Sequence, residues 1–379
     1  MARYWNLSRF YFFYFASLGA LIPFWSVYLN SLEFSPLEIG QLMATLAVSK
    51  VVAPYLWGWL ADRSGYHVRV VQFTSLFSLL CFLPLLWFDS FTGLLAFMLL
   101  FSFFWNASLP QFEVVTLNRL GQDSHKYSRI RLWGSLGFIL TVILLGMVFE
   151  HAAIGWLPAI LLAIFGLIWL STLAVSEQRQ RVTESANIVT VLRQPAVIGL
   201  FVSCFLIQAS HGPYYTFYSL FMEDLGYSRT AVGQLWALGV LSEVGLFLVM
   251  HHLFRLRSAG FWLVVALALT TLRWWLMAYF SDSLPLVLLM QCLHAASFGM
   301  YHAAAIYLVH RYFPQHHGRG QALYSAVSFG AGGAVGSLYA GTLWQDYGAQ
   351  TTFSVAALLA LIGMLVAWQA NRIAQREPA

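Results

Sequence analysis

The sequence has few charged residues, since aspartate, glutamate, lysine and arginine make up only 9% of its 379 residues. Soluble domains carry about 25% charge, so a typical soluble domain is excluded. Cysteine is also scarce: Cys81, Cys204 and Cys292 are an odd number, and each lies inside an apolar run. This argues against a disulfide framework and against a metal site. The sequence also lacks the phosphate-binding loop that ATP-driven proteins carry.

Long apolar runs are what the sequence has instead. Hydrophobic residues make up 60% of the chain and form continuous runs. A run of about 20 apolar residues crosses a bilayer as a helix, whereas a transmembrane β-barrel would alternate apolar and polar residues. The predicted spans are 8–30, 38–60, 68–88, 91–116, 129–149, 153–174, 196–222, 230–254, 259–280, 284–309, 320–344 and 350–370. We therefore expect an all-α membrane protein with twelve transmembrane helices in the lipid bilayer.

Basic residues lie almost entirely on one side of these spans. They occupy both termini and the loops after even-numbered spans, while Arg229 is the one basic residue in the opposite loops. The positive-inside rule then places both termini in the cytoplasm. This distribution explains the net charge of +5 without a nucleic-acid partner. Arg3 and Arg9 precede a span longer than a signal-peptide core, so the first span is expected to be a retained helix.

A weak internal repeat divides the chain. The segment S-P-L-E-I-G-Q-L at 35–42 and the segment S-R-T-A-V-G-Q-L at 228–235 occupy the same place between the first and second spans of each half. We expect six-helix halves at 1–175 and 196–379, joined by a polar cytoplasmic linker at 176–195. Parallel halves with a site between them are a recurring transporter architecture.

Three ionisable residues inside the first six spans are candidates for binding. Glu113 ends the fourth span and Arg131 begins the fifth, on either side of a short turn. Helices joined in this way are antiparallel neighbours, so the two residues can pair and together hold a polar substrate group. The alternative is a structural ion pair that fixes the helix hairpin. Lys50 lies alone midway along the second span and could meet an anionic substrate or an acid such as Glu113 or Glu243.

The seventh and eighth spans carry further polar residues. Gln208, His211 and Tyr215 fall on one helical face, and G-P at 212–213 should break or kink the helix. Gln208 could equally form a packing hydrogen bond. Glu243 lies deep in apolar sequence, where a carboxylate is costly unless it is paired or protonated. That requirement suits a proton carrier.

Three more residues could line a cavity. Trp133 and Trp236 lie centrally in their predicted spans and could stack on a sugar or an aromatic acid. His302 in Y-H-A-A-A could face the cavity or be a hydrogen-bonded packing histidine.

The loop after the second span reads G-W-L-A-D-R-S-G-Y-H-V-R at 58–69. It resembles the signature loop of the major facilitator superfamily, with Gly58, Asp62, Arg63 and Gly65 at matching positions. In that family the loop is a gating element that does not contact substrate. The resemblance implies the same role here, although Y-H-V replaces a more basic stretch.

The fourth and fifth spans resemble the lactose permease group. The matching motifs are N-A-x-x-P-x-x-E at 106–113 and R-x-R-x-x-G-S-x-G-F at 129–138. In that group the positions matching Glu113 and Arg131 hold the sugar. The resemblance therefore implies a substrate site at these residues, with Asn106 beside them.

The ninth and tenth spans are similar to the proton-coupling segment of the same group. Arg273 in L-T-T-L-R-W-W matches an arginine of that cluster, and His294 matches its histidine. Gln291 and Ser297 stand where the group has a lysine and a glutamate, so the usual proton-carrying carboxylate is absent. This leaves three alternatives for proton coupling: it has moved to Glu243 with His294 or His211, it works in a different way, or it has been lost.

Nearly the whole chain resembles the branch of the superfamily that contains the 3-phenylpropionate permease. The resemblance implies a monomeric secondary transporter of the bacterial inner membrane, not an enzyme, with a proton as coupling ion and no cofactor or metal. One expected substrate is a small aromatic carboxylate held by Lys50, Arg131 or Arg273. Another is a lactose-like sugar or a nucleoside, held by Glu113 and Arg131 over a tryptophan. A third interpretation is a non-transporting receptor or scaffold.

Overall fold

The computed structural model describes residues 2–177, 189–314 and 317–376. These residues form helices joined by short turns and contain no strand. The helices are α1 Ala2–Ser31, α2 Pro36–Ser64, α3 His67–Phe82, α4 Phe91–Leu120, α5 Tyr127–His151, α6 Leu157–Leu173, α7 Pro195–Ser210, α8 Gly212–Asp224, α9 Arg229–Leu256, α10 Ala259–Tyr279, α11 Leu284–Cys292, α12 Tyr301–Tyr312, α13 His317–Ser325 and α14 Gly333–Arg376. A π-helical segment, Ala295–Met300, leads into α12, and a second, Ala326–Gly332, joins α13 to α14. The predicted all-α class is confirmed.

Eleven helical segments of the described chain are long and apolar enough to cross a membrane. The last of them, Gly318–Gln375, contains 58 residues, whereas one crossing needs about 20 to 25. Within it Gly348 has φ 75° and ψ −176°, which are not helical values. The helical backbone is therefore interrupted between the predicted spans 320–344 and 350–370.

Local sequence signals set the two ends of α2. The Ser35 side chain accepts a hydrogen bond from the Glu38 N–H, and the Glu38 carboxylate accepts one from the Ser35 N–H at 2.9 Å. This is a capping box, and Pro36 fills the first helical position. At the other end Gly65 adopts φ 75° and its N–H donates to the Ala61 carbonyl at 2.8 Å. The repeat segment and the glycine of the following loop thus act as helix-end signals.

Close contacts divide the chain into two compact units. The first comprises Met1–Glu184 and Met222–Ala237, and the second comprises Ser185–Phe221 and Leu238–Ala379. In the first unit α1 packs along α5 and α6, while α4 packs against α2 and α3. In the second unit α7 and α10 both pack along α14. Most of the predicted linker 176–195 lies outside the described residues, and the predicted limits of the two halves stay a prediction.

Each unit contains a helix crossing with no room for a side chain. A Cβ added to Gly137 of α5 would lie 2.1 Å from the carbonyl oxygen of Phe12 in α1. In the second unit a Cβ added to Gly212 of α8 would lie 2.1 Å from the backbone of Gly336 in α14. Small residues of this kind let membrane helices approach closely and pack.

Candidate functional site

The glutamate of α4 and the arginine of α5 lie in the first unit, but they are not ion-paired. Glu113 accepts a hydrogen bond from the Tyr127 hydroxyl at 3.1 Å. The Arg131 guanidinium lies over the ring of Phe15, 3.8 Å from its centre, and 5.9 Å from that of Tyr11. The direct Glu113–Arg131 ion pair expected from the sequence is therefore wrong. Tyr127 starts α5 and reaches the carboxylate first, while the arginine turns to the aromatic face of α1. We call these five residues the first-unit cluster.

Two other predicted binding residues of the first unit have different surroundings. Asn106 is buried and donates hydrogen bonds to the Leu46 carbonyl oxygen at 2.9 Å and the Ser49 hydroxyl at 2.7 Å. Its amide therefore ties α4 to α2. Lys50 is half-buried and forms no hydrogen bond or ion pair with the described residues of its unit. The binding roles of both residues stay predictions.

The two predicted stacking tryptophans have different surroundings. The Trp133 indole N–H donates to the Tyr4 hydroxyl at 3.1 Å, and its ring packs edge-on against Trp5 at 4.9 Å. Trp133 therefore lies beside the start of α1, where its only N–H donor is already used, and the expected central position is wrong. Trp236 is buried in α9 within the first unit.

The predicted gating loop closes the junction of α2 and α3. Asp62 lies 3.4 Å from Nε2 of His67, whose Nδ1 is 3.0 Å from the amide oxygen of Gln111 on α4. Gly58 faces the same glutamine, because a Cβ added there would lie 3.1 Å from its amide nitrogen. Arg63 lies over the ring of Trp59 on its own helix. His67 thus connects the loop to α4, at the position where the sequence departs from the more basic family pattern.

The second unit joins three predicted coupling residues into one hydrogen-bonded chain. Glu243 of α9 lies 2.8 Å from Nε2 of His294, and Nδ1 of His294 lies 2.9 Å from Nη1 of Arg273 on α10. A guanidinium N–H can only donate, so Nδ1 must accept. The imidazole proton is therefore on Nε2, from which it is donated to Glu243. Arg273, His294 and Glu243 are 0%, 4% and 9% exposed, so the chain is shielded from water.

Aromatic rings and a serine complete the surroundings of Arg273. Its guanidinium carbon lies 4.3 Å from the ring centre of Tyr214 and 4.5 Å from that of Trp274. Nη1 donates a second hydrogen bond, at 2.9 Å, to the hydroxyl of Ser297. Nε and Nη2 are buried and have no hydrogen-bond partner among the described residues. We call Glu243, His294, Arg273 and Ser297 the second-unit cluster.

The remaining predicted residues of the seventh and tenth spans border this cluster. Tyr214 donates to the amide oxygen of Gln291 at 2.9 Å. His211 lies at the break between α7 and α8, stacks on Tyr215 and turns its ring edge-on to Trp274. The predicted break at 212–213 is thus confirmed. The buried nitrogen atoms without a hydrogen-bond partner in the described chain include Nε2 of His211, Gln208 and Gln291.

His302 is separate from the hydrogen-bonded chain. Its Nδ1 lies 2.9 Å from the Tyr324 hydroxyl, and its ring stacks on Phe298. Of the two interpretations of this histidine, these contacts match the packing one. Its part in proton coupling stays a prediction.

Helix geometry brings the second-unit cluster together. The π-helical segment Ala295–Met300 begins directly after His294 and contains Ser297, and both side chains reach Arg273. On the facing helix Gly239 allows close approach, because a Cβ there would lie 3.2 Å from the His294 ring. π-Helical turns are often found at functional sites.

Sequence reasoning missed the residues that complete both clusters. Tyr127, Phe15 and Tyr11 surround the first pair, and Tyr214 and Trp274 enclose Arg273. Two of these residues could have been identified from their positions in the sequence. Tyr127 is the first residue of the Y-S-R-I-R motif, and Trp274 follows Arg273 directly. Within the described residues, no group of three or more metal-ligating side chains is found.

Known proteins similar to this chain are membrane transporters. The sequence matches the MFS_1 like family over residues 4–355. It is 31% identical to the probable 3-phenylpropionic acid transporter of Escherichia coli K12, over 94% of this chain and 95% of that protein. It is 26% identical to the maltose permease of Geobacillus stearothermophilus, over 99% of this chain and 97% of that protein. A solved variant of the nucleoside transporter NupG shares the fold with a TM-score of 0.87 at 16% identity, covering 97% of this chain and 99% of the other.

The family match spans most of the chain, and the relatives named above are transporters of small molecules rather than enzymes. The long apolar helices agree with that class. The chain therefore belongs to the MFS_1 like family of the major facilitator superfamily and is a multi-pass membrane transporter.

Proposed function

We propose that this transporter is a proton symporter that imports a small aromatic carboxylate such as 3-phenylpropionate. The buried chain from Glu243 through His294 to Arg273 carries the proposal. An ionisable chain inside transmembrane helices is costly and marks proton or substrate pathways. The carboxylate of Glu243 can take up a proton. His294 holds that carboxylate in place through its contact with it. The 31% identity to the probable 3-phenylpropionic acid transporter, over nearly the full length, supports the substrate class.

The proposal includes an arrangement in the bacterial inner membrane. In this arrangement the last candidate segment crosses the membrane twice, on either side of Gly348, and the total is twelve spans; the non-helical backbone of Gly348 and the 58-residue length of that segment support this count. Both termini lie in the cytoplasm, as the distribution of basic residues requires. The halves 1–175 and 196–379 move relative to each other by alternating access, and the loop with Gly58, Asp62 and Gly65 serves as a gate. The functional unit is a monomer, with no cofactor besides the coupling proton.

Symport of a sugar or a nucleoside is the second candidate. The first-unit cluster favours it, because Glu113 and Arg131 are not ion-paired and each keeps polar capacity for substrate hydroxyl groups. Asn106, Trp133 and Trp236 would join them in that role, and so would Gln208, His211 and Tyr215. The 26% identity to a maltose permease agrees with this candidate. A non-transporting receptor or scaffold has no such support, since the named relatives are transporters.

Uptake into vesicles tests the substrate class. Labelled 3-phenylpropionate, maltose, a galactoside and a nucleoside are offered to proteoliposomes that contain the full chain, with a pH gradient imposed inside-alkaline. We expect the carboxylate to accumulate and the neutral compounds to remain at equilibrium. Accumulation of a sugar or nucleoside in place of the carboxylate would favour the second candidate.

The Glu243→Gln variant tests proton coupling. The amide cannot release a proton, so accumulation driven by the pH gradient should be abolished while exchange of internal for external substrate continues. Asp346→Asn, an acid-to-amide change at an exposed position, is the matched control and should leave accumulation unchanged. Undiminished accumulation by Glu243→Gln would refute the coupling role.

A further inference from the structure

One edge of a buried arginine has hydrogen-bond donors without acceptors. Nη1 of Arg273 is saturated by His294 and Ser297, whereas Nε and Nη2 have no partner in the described chain. The rings of Tyr214 and Trp274 lie against the guanidinium, with their centres 4.3 Å and 4.5 Å from its carbon atom. Unpaired donors without access to water are costly, more so when they are charged. A ligand that brings an acceptor to this edge would remove that cost.

The chemistry of the edge selects the ligand. Nε–H and the adjacent Nη2–H point in the same direction and form a planar fork. That fork matches the two oxygen atoms of a carboxylate, which can accept both hydrogen bonds in parallel. A sugar hydroxyl offers one acceptor and no charge. The rings of Tyr214, Trp274 and His211 around the arginine form an aromatic environment that suits an aromatic acid.

Charge balance in the cluster depends on the proton. Arg273 carries a positive charge, His294 is neutral in the tautomer derived above, and Glu243 balances the arginine while it is ionised. When Glu243 takes up a proton, the arginine loses its counter-ion in a site shielded from water. Three further titratable groups of the described second unit interact electrostatically with these residues: His211 at the junction of α7 and α8, and the phenols Tyr214 and Tyr215 on α8. None of them is an acid that could replace Glu243 as counter-ion near pH 7.

We propose that the Nε–Nη2 edge of Arg273 anchors the carboxylate of the substrate, so that Glu243 and the substrate share one counter-ion. This proposal rests on the proposed function, because it requires a carboxylate substrate and a proton on Glu243. The carboxylate binds as an anion, and the proton forms an O–H bond on the carboxyl group of Glu243. Each addition favours the other, since the arginine is neutralised by only one carboxylate at a time. Binding linkage of this kind is reciprocal.

Coupling without net charge follows from this arrangement. One proton and one monovalent anion enter together, and the loaded site has the same net charge as the empty one. Uptake should therefore respond to a pH gradient and not to a membrane potential. Symport of a proton with a neutral sugar would move one positive charge per cycle, so a membrane potential would drive it.

Binding of an acid and of its amide tests the anchor. The wild-type transporter should bind 3-phenylpropionate at least about tenfold more tightly than 3-phenylpropionamide, which has the same shape and no charge. In Arg273→Lys the charge remains but the fork is lost, so the preference should fall to about twofold or less. In the matched variant Ser297→Ala the Nε–Nη2 edge is intact, so the preference should remain. Thermal unfolding of each variant verifies that it is folded.

The pH dependence of binding tests the shared counter-ion. Between about pH 8 and about pH 6 the free acid stays ionised, and its binding to the wild type should tighten as the pH falls. Glu243→Gln mimics the protonated glutamate, so its binding should be as tight as that of the wild type at the lower pH and independent of pH. In wild-type proteoliposomes a potassium diffusion potential, imposed without a pH gradient, should produce no accumulation.

The possible results test the anchor, the shared counter-ion and the proposed substrate class separately. If the wild type transports 3-phenylpropionate but Arg273→Lys keeps the tenfold preference, the anchor is wrong while the proposed function stands. Equal loss of preference in Ser297→Ala would also overturn the anchor, because general disturbance of the cluster would explain it. Accumulation of the substrate driven by a membrane potential alone would refute the proposal that Glu243 and the substrate share one counter-ion. This measurement uses only the wild type, so misfolding of a variant cannot affect it. If the wild type neither binds nor moves any carboxylate, the proposed substrate class and this inference both fail.

Discussion

The two clusters contain the same residue types, one glutamate and one arginine, but satisfy them in different ways. In the first unit Glu113 takes a phenolic hydrogen bond and Arg131 lies on an aromatic ring, with no direct contact between the charges. In the second unit His294 links Glu243 to Arg273, and all three side chains are buried. Both pairs come from helices that are consecutive in sequence, but in the second pair a histidine from a third segment lies between the glutamate and the arginine.

This difference separates two kinds of intramembrane charge. A group that neighbours satisfy only in part can exchange those contacts for a ligand at little cost. A group inside a linked chain cannot change its protonation without changing its partners. We therefore expect variants of the first-unit cluster to alter substrate affinity, and variants of the second-unit cluster to alter both stability and coupling.

Breaking the histidine link should have the largest effect. His294→Ala removes the histidine partner of Glu243 and of one buried donor of Arg273, which should lower the free energy of unfolding by about 3 kcal/mol. Tyr127→Phe removes one hydrogen bond from Glu113 and should cost only about 1 kcal/mol. Unfolding in detergent micelles measures both. His302→Ala, which loses the hydrogen bond with Tyr324 and ring packing on Phe298, is the control for loss of a histidine. Equal losses for His294→Ala and Tyr127→Phe would contradict the distinction between the clusters.

Double-mutant cycles should give the next largest difference. The changes Glu243→Gln and Arg273→Gln should be coupled by about 1–3 kcal/mol, because removing one charge leaves the other uncompensated in the same chain. The changes Glu113→Gln and Arg131→Gln should be coupled less strongly, by less than about 1 kcal/mol, since no ion pair and no bridging residue joins their side chains in the described chain. The four single variants and two double variants are compared by free energy of unfolding. A coupling in the first unit as large as that in the second would remove the contrast.

Removing the aromatic support of Arg131 should have the smallest effect. Phe15→Leu keeps an apolar side chain but deletes the ring under the guanidinium, a contact worth about 0.5–1 kcal/mol at a partly exposed site. Loss of that free energy corresponds to a fall in substrate affinity of about two- to fivefold. Proton coupling should be unchanged. Phe12→Leu alters the same helix without changing a ring that lies over Arg131. An affinity loss in Phe12→Leu as large as in Phe15→Leu would assign the effect to α1 packing.

The sequence alone predicted the elements well. The apolar runs predicted helices across the described chain, because burial in lipid requires continuous hydrophobicity and satisfied backbone groups. Helix ends also followed local signals, as at Ser35 and Gly65. The break at His211 was expected from the glycine and proline that follow it.

Contacts between helices were much less predictable. Glu113 and Arg131 lie on either side of a turn, yet Tyr127, one turn before Arg131 on the same face of α5, forms the hydrogen bond with the acid. Trp133 was expected to be central but contacts Tyr4 and Trp5. Such contacts depend on the rotation of one helix against another and on the rotamers of long side chains, which periodicity leaves undetermined.

The grouping of Arg273 with His294 was expected because the sequence resembles a known family in those spans, whereas a link from His294 to Glu243 was one of the alternatives left open. Periodicity could not reveal it, because the three residues lie on different helices. The two rings that enclose the arginine had no counterpart in that resemblance, and only the packed structure identifies them.

The π-helical segment Ala295–Met300 has a consequence for how relatives of this chain can diverge. A π turn holds one residue more than an α turn, so a helix can gain or lose that residue without losing its length across the bilayer. Removing it would rotate the segment before it by about 100° against the segment after it. Insertions and deletions of single residues are normally confined to loops. Here one such change within a membrane helix could alter which side chains face the site. Alignments of this family should therefore allow a gap of one residue beside His294.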